Sequence, residues 1–317
     1  MSKVLVTGGA GFIGSNVADA YLARGDRVWV VDDLSSGKLH NLAPAVEFVR
    51  MDIGDPALDK LFQDVGGFDV VNHHAAQIDV RKSVANPPAD ARINIMGLLN
   101  VLECARRHGT GRVIFVSSGG VVYGEPEQRP TPETAPKAPL SPYGVTKLAA
   151  EYYLNYYLTI HGLEYAAVRY SNVYGPRQDP HGEAGVVAIF CERLLEGRPI
   201  TIYGDGEQTR DYVFVGDVVA ANMILTDATL PPPGGGIDAR GFNVGTGVET
   251  SVNELARVAM AAAARTVEVG FAPARPGELL HSSLDASRLR ALGWAPRTSL
   301  HDGFARTYQH IAGRARA

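Results

Sequence analysis

Val4-Leu5-Val6-Thr7-Gly8-Gly9-Ala10-Gly11-Phe12-Ile13-Gly14 holds, in eleven residues, a strand, a glycine turn and the start of a helix. Val4 to Val6 is a short apolar run of buried-strand type. Beyond it Ile13, Val17 and Tyr21 recur every four residues, which gives the segment Phe12 to Arg24 one apolar helical face. Gly8, Gly11 and Gly14 stand at the turn. Glycine there permits a tight turn, lets backbone approach a pyrophosphate, and packs the helix closely on the strand. The N–H groups at the helix start, with the positive end of the helix dipole, then hold phosphate oxygens. Alone, such spacing fits an ordinary glycine-rich turn equally well. Asp32 adds the distinguishing context, ending the next β-branched run 18 residues after Gly14, near the ~20 expected of a ribose-gripping carboxylate. A carboxylate there accepts hydrogen bonds from ribose hydroxyls and repels a 2′-phosphate. With Asp33 adding negative charge and no Arg following at once, the expected cofactor is NAD. Asp52 and Ile53 follow the third apolar run, within reach of an adenine; an ordinary loop Asp competes with that reading.

Outward from this stretch, Val28 to Val31, Val46 to Met51, Val70 to His73, Val113 to Val116 and Tyr165 to Tyr170 read as further buried strands. Helix-length segments such as Ile93 to Arg107 lie between them. The alternation predicts an α/β chain: a doubly wound parallel Rossmann sheet covered on both faces. After Asn172 the pattern changes to shorter elements broken by Tyr174-Gly175-Pro176-Arg177 and Tyr203-Gly204-Asp205-Gly206. A smaller C-terminal α+β substrate domain is expected there. Asp211 to Leu225 and Phe242 to Gly245 are expected to return to the main sheet. The NAD-binding domain is therefore 1–172 plus about 211–246, and the substrate domain about 173–210 plus 247–317. Pro231 to Gly236 reads as an exposed loop.

Composition narrows the class. The 317 residues carry 30 Lys and Arg against 34 Asp and Glu, a net charge of −4. That disfavours a nucleic-acid binder relying on phosphate neutralisation. No apolar run approaches the ~20 residues of a membrane span, and the first residues lack a signal peptide's long apolar region. Cys104 and Cys191 are the only cysteines, with no metal-ligand spacing around them, so no metal is expected. A reducing, cytoplasmic compartment fits.

The chemistry concentrates in Ser141-Pro142-Tyr143-Gly144-Val145-Thr146-Lys147. Ser141 is a helix cap and Pro142 a first helical residue, so Tyr143 falls in the first turn and Lys147 one turn later on the same face. A free tyrosine titrates near ~10. A neighbouring ammonium and the positive helix end favour its phenolate and make it a general base for a hydroxyl. An amphipathic helix that happens to carry this pair is the competing reading, which the glycine loop and the strand ending in Ser117-Ser118 outweigh. That strand end lies at the carboxyl edge, where α/β sheets bind ligands. A serine hydroxyl there can share the reacting oxygen's proton; a plain strand-end cap is the alternative.

Nearly end to end, the chain resembles the extended short-chain dehydrogenases/reductases. Within them it is most similar to the NAD-dependent nucleotide-sugar epimerase/dehydratase family and its UDP-glucose (UDP-galactose) 4-epimerase branch. The resemblance is carried by VTGGAGFIGS, HHAAQIDVRKSV, VSSGGVVYGEP, SPYGVTK, RYSNVYGPRQDPHGEAGVV, YGDGEQTRDYVFVGDVV, FNVGTG and ARPGELLHS. It implies that Gly8, Gly11, Phe12, Ile13, Gly14, Asp32, Asp52, Ile53, Ala75, Ala76, Gln77, Asn94, Ser117, Tyr143, Lys147 and Tyr170 contact NAD. It further implies that Ser118, Tyr143, Asn172, Val187, Tyr203, Arg210 and Arg275 meet a UDP-sugar, with Glu278 close by. Guanidinium forks such as Arg210 and Arg275 suit a diphosphate; pairing of Arg210 with Asp205 or Asp211 is the competing reading.

The implied activity is that of an isomerase: NAD-dependent 4-epimerisation of UDP-glucose and UDP-galactose through a 4-keto sugar, placed in galactose and carbohydrate metabolism. Tyr143, Lys147 and Ser118 are the expected catalytic residues. The family commonly places its Ser or Thr four residues before the Tyr of VYG, which here is Gly119; a subgroup with Ser or Thr before Gly-Gly is similar, and Ser118 takes the role. Related 4,6-dehydratases and UDP-glucuronate decarboxylases place acidic groups where this chain has Gly120 and Val121, neither of which transfers a proton. Ser282, seven residues after Arg275, stands where some members carry a bulky Tyr, which leaves room for UDP-N-acetylglucosamine. UDP-glucuronate, met by Arg81, Lys82 or Arg177, is another substrate reading. A non-catalytic NAD sensor and a net dehydrogenase are the remaining alternatives. Family members dimerise through the helices corresponding to Asn94–Arg107 and Gly144–His161. Tyr152, Tyr153, Tyr156 and Tyr157 fit either that homodimer contact or the core.

Overall fold

Short apolar runs separated by amphipathic segments leave the backbone few ways to satisfy its hydrogen bonds, and the strands pair side by side. The computed structural model describes residues 1–180, 185–274 and 279–314. It divides into two units: Met1–Gly124, Pro136–Arg169 and Val219–Phe242 form the first, and Glu125–Ala135, Tyr170–Val218 and Asn243–Ala317 the second.

The chain runs β1 (Lys3–Thr7), α1 (Phe12–Arg24), β2 (Arg27–Asp32), β3 (Glu47–Arg50), α2 (Ala57–Val65), β4 (Val70–His73), α3 (Val80–Ala85), α4 (Pro87–Ala91), α5 (Leu98–Arg107), β5 (Arg112–Ser118), α6 (Gly119–Val122), α7 (Pro142–His161) and β6 (Glu164–Tyr170). It continues with β7 (Asn172–Tyr174), α8 (Val186–Glu196), β8 (Ile200–Tyr203), β9 (Thr209–Arg210), β10 (Tyr212–Phe214), α9 (Val215–Asp227), α10 (Gly236–Arg240), β11 (Gly241–Val244), β12 (Thr250–Ser251), α11 (Val252–Ala263), β13 (Val269–Ala272), α12 (Ser287–Arg290) and α13 (Leu300–Arg314).

The first unit is built on a seven-stranded, mostly parallel sheet in the order β11-β6-β5-β4-β1-β2-β3. β1 pairs in parallel with β2 on one side and β4 on the other. The strand order therefore reverses between β1 and β4, and a crevice for a ligand opens at the carboxyl ends of those two strands. The strands are almost wholly apolar because helices cover both faces: Leu5, Val31, Val71, Val113 and Phe115 pack with Leu98, Val101, Leu102 and Leu154. Cys104 and Cys191 are both free and buried. Among the described residues no helix is long and apolar enough to cross a membrane.

Two expectations need correction. Residues 93–107 do not form one regular helix: Arg92–Gly97 is a π-helical stretch between α4 and α5, a local widening that no apolar period announces. Nor does the chain return at Asp211 itself: residues up to Val218 stay in the second unit, and only Val219–Phe242 belongs to the first. Tyr212–Phe214 pairs in parallel with Asn172–Tyr174 as a separate two-stranded ribbon. The cause is Asp211, whose buried carboxylate accepts from the Thr246, Gly247 and Leu284 backbone N–H groups and from the Thr246 hydroxyl, fixing the start of β10 within the second unit. Gly241–Val244 does join the seven-stranded sheet.

Candidate active site

The turn between β1 and α1 is as tight as its glycines demand. Gly8 has φ +66°, and a Cβ there would lie 2.5 Å from the Ala75 nitrogen; one at Gly14 would lie 2.4 Å from the Gly8 carbonyl oxygen. The turn thus presses against His74 and Ala75 after β4. Gly11 caps α1 with no side-chain hydrogen bond to the first-turn N–H groups, and the groups of Phe12 and Ile13 belong to that uncapped turn. Such an end fits a pyrophosphate.

Asp32 ends β2 beside the turn. Its Oδ2 accepts from the Ala10 N–H at 3.0 Å and its Oδ1 from the Leu34 N–H at 2.8 Å. Burial pushes its carboxyl pKa up, and these two N–H groups offset that rise only in part. Each oxygen keeps a further lone pair, as a ribose diol requires. Asp52 accepts from the Gly54 N–H at 2.7 Å, and Ile53 is buried. Gln77 and Asn94 clasp one another: the Gln77 N–H donates to Asn94 Oδ1 at 2.9 Å, and Asn94 Nδ2 donates to the Gln77 carbonyl at 3.0 Å. The proposed cofactor residues up to Lys147 all lie in the first unit, while Tyr170, buried, lies in the second.

The Ser141 hydroxyl caps α7, accepting from the Gly144 N–H at 3.1 Å. Tyr143 follows in the first turn with its own N–H donated to Ser83 Oγ at 3.2 Å, and Lys147 stands one turn further. Both are buried. The Lys147 ammonium donates to the Val116 carbonyl at 2.8 Å. Burial pushes it down to about 8, resisted by Asp90 and Glu151. Ser118 caps the short helix α6 with Gly119 and Gly120 behind it, and a Cβ on Gly120 would come 3.8 Å from Ser118 Oγ. The hydroxyl of Ser117, by contrast, points to Glu151 and donates to its Oε1 at 2.6 Å.

In the second unit Asn172 and Tyr203 are exposed and Val187 is buried. Arg210 Nη1 donates to the Thr209 carbonyl at 2.8 Å. Arg275 and Glu278 lie outside the described residues. Ser282 is buried. Tyr152, Tyr153 and Tyr156 are exposed, whereas Tyr157 is buried and donates to Glu103, so the four tyrosines divide between the two readings given above.

Three groups at the site have no motif of their own. Asp90 is buried and gathers Asn94 Nδ2, Gln77 Nε2 and Thr146 Oγ1. Glu151 and Arg169 form a fully buried ion pair, Nη2 to Oε2 at 2.6 Å. Only Glu151 left a trace in the sequence, four residues after Lys147.

Residues 4–245 match the family described as NAD dependent epimerase/dehydratase. The UDP-glucose 4-epimerase of Mycolicibacterium smegmatis is 47% identical over 319 residues, 99% of each chain. A crystal structure of the UDP-glucose 4-epimerase of Thermotoga maritima with UDP-glucose superposes with a TM-score of 0.93 at 43% identity, covering 99% of each chain. The Thermus thermophilus UDP-glucose 4-epimerase, in complex with NAD, gives 0.90 at 43% identity, covering 98% of this chain and 99% of the other.

Proposed function

The chain belongs to the NAD dependent epimerase/dehydratase family, and on that premise we propose that it is a UDP-glucose 4-epimerase, inverting C4 of UDP-glucose and UDP-galactose with NAD held throughout. The observation that carries this reading is the pairing of Tyr143 and Lys147 on successive turns of α7, beside the strand end that bears Ser118. Gly120 and Val121, two and three residues after Ser118, carry no carboxyl group for a 4,6-elimination.

A bound dinucleotide would accept the hydride of C4 and return it to the opposite face of the same carbon. Tyr143, as phenolate, takes the proton of the sugar O4, with Ser118 bridging the two oxygens. Lys147 stabilises that phenolate and holds the nicotinamide ribose. The 4-keto sugar then turns about its link to the diphosphate, presents its other face, and recovers a proton from Tyr143. Asp32 grips the adenosine ribose, and the glycine turn holds the pyrophosphate. Asn172, Val187, Tyr203 and Arg210 would hold the UDP-sugar.

A panel of UDP-sugars, with products resolved by anomeric NMR, tests the reading. Interconversion of UDP-glucose and UDP-galactose without free NADH is expected, and absence of that conversion overturns it. The small side chain of Ser282 favours a second substrate, UDP-N-acetylglucosamine; no turnover of it removes that extension. UDP-glucuronate in the same panel tests Arg81, Lys82 and Arg177, of which Arg81 already pairs with Asp79. The exposed Tyr152, Tyr153 and Tyr156 support a homodimer through α7, checked by light scattering. The reading carries with it a cytoplasmic place in galactose metabolism.

A further inference from the structure

Tyr143, Lys147 and Glu151 stand four residues apart on one face of α7. The first two have roles in the chemistry above; the third is a fully buried carboxylate. A buried charge is costly unless it is paired and hydrogen-bonded, and a well-packed apolar group of the same shape often serves structure as well. Glu151 is thoroughly satisfied. It accepts from Ser117 Oγ at 2.6 Å, from Arg169 Nε at 3.0 Å and from Arg169 Nη2 at 2.6 Å. Arg169, on β6, also donates to Tyr123 Oη at 2.9 Å and to Asp238 at 3.1 Å. Lys137 pairs with the same Asp238. Glu151, Arg169, Asp238 and Lys137 therefore form a chain of alternating charge.

The chain ends at the site. Consecutive residues of β5 hold successive turns of α7: the Val116 carbonyl takes the Lys147 ammonium, and the Ser117 hydroxyl donates to Glu151. Ser118 is the next residue. We propose that Glu151 is the positioning residue of the Tyr143–Lys147 pair: through Ser117 it fixes α7 against the strand that ends in Ser118, one helical turn beyond Lys147 on the same face. This rests on the roles given above to Tyr143 and Lys147.

The surroundings of Lys147 give the charge its leverage. The Tyr143 ring of α7 has its centroid 5.8 Å away, and β5 gives the Val116 carbonyl and the Phe115 ring at 4.9 Å; the charges of Glu151 on α7 and Asp90 on α4 act on it as well. His73 of β4 and the following His74 also face it and are kept neutral by burial. Asp90 and Glu151 are thus the two carboxylates opposing the desolvation of the ammonium. Removing the Glu151 charge lowers the pH at which Lys147 loses its proton.

Three variants of the NAD-loaded enzyme test this, read by the pH profile of kcat and by ultraviolet difference titration of the Tyr143 phenolate against Tyr143→Phe. Glu151→Gln is expected to move the alkaline limb of kcat down by about one pH unit, with the phenolate titration displaced as well. Glu151→Asp keeps the charge but withdraws it from Ser117, so the limb stays and kcat falls. Ser117→Ala leaves the ion pair intact and is expected to lower kcat roughly tenfold at an unchanged limb. Limbs and phenolate titrations that coincide in wild type and Glu151→Gln overturn the proposal. If Glu151→Gln does not fold, wild-type kcat in both Glu151→Asp and Ser117→Ala overturns it. Wild-type enzyme that turns over no UDP-sugar at all would instead refute the function proposed above, a result distinct from any of these.

Discussion

The Lys147 ammonium lies 5.8 Å from the centroid of the Tyr143 ring, one helical turn beyond it, with its proton donated to the Val116 carbonyl. A positive charge so placed favours the phenolate over the phenol, while the N-terminal position of Tyr143 adds the helix dipole. Removing only the hydroxyl should therefore remove the base and little else. Tyr143→Phe is expected to purify with NAD bound, because the ring and its packing remain, and to lose about 10²–10⁴-fold in turnover. NAD released by denaturation, measured beside epimerase activity, checks both halves. Activity near wild type would exclude Tyr143 as the base.

Asp32 makes two backbone hydrogen bonds, to Ala10 and Leu34, and so couples the glycine turn to the end of β2. Asn at this position keeps the shape, presents one N–H to another, and loses the charge. Asp32→Asn is expected to bind NAD roughly 10–100-fold more weakly, the equivalent of one charge-assisted hydrogen bond. It should also discriminate less against NADP, since the carboxylate no longer repels a 2′-phosphate. Titrations of both dinucleotides into the cofactor-free protein measure the two effects. An unchanged preference between NAD and NADP would place the ribose elsewhere.

Gly8 is the turn residue with least freedom. Its φ of +66° disfavours any Cβ, and the Cβ would also meet the Ala75 backbone at 2.5 Å. Gly8→Ala is expected to cost about 1–3 kcal/mol in backbone strain alone, with a further loss because backbone cannot yield as a side chain can. Urea unfolding measures it. Gly25, also at positive φ (+92°) but with open space around it, is the control: Gly25→Ala should cost less than Gly8→Ala.

The alternation of β-branched runs and amphipathic segments made the seven-stranded sheet legible, because its central strands β1 and β4 are buried almost throughout and carry short apolar runs. The glycine turn, Asp32 and the Tyr143–Lys147 spacing were legible for a similar reason: each is a local pattern within one βα unit. What escaped notice depends on partners far along the chain. Glu151 stands four residues after Lys147, but nothing near it announces Arg169, 18 residues on. Asp90 reads as an ordinary acidic residue in the first turn of α4 until Gln77, Asn94 and Thr146 converge on it. β10 was misplaced for the same reason, since its pairing is fixed by bonds from Asp211 to residues more than 30 positions later.

His73 and His74 give the fold a pH dependence whose sign can be worked out. Burial, with a smaller contribution from the Lys147 charge, pushes both down to about 3, whereas in the unfolded chain each titrates near ~6.5. Between those values the unfolded state binds more protons, so stability falls as pH drops below the unfolded value and levels off near the folded one. Each histidine contributes up to about 1.4 kcal/mol per pH unit in that window. His310, half-buried and also lowered by burial, adds to the same slope. Carboxylates with depressed pKa, such as Glu103 and Asp79, act mainly below pH 5, while Asp32 and Asp211, raised by burial, act in the opposite sense, so the difference between wild type and histidine variants from pH 7 to pH 5 is what reads the histidines. Urea unfolding across that interval should show wild-type stability declining steadily on acidification. His73→Gln and His74→Gln should each flatten the decline. A slope identical in all three proteins would mean that these rings reach water and take up their protons in the folded state.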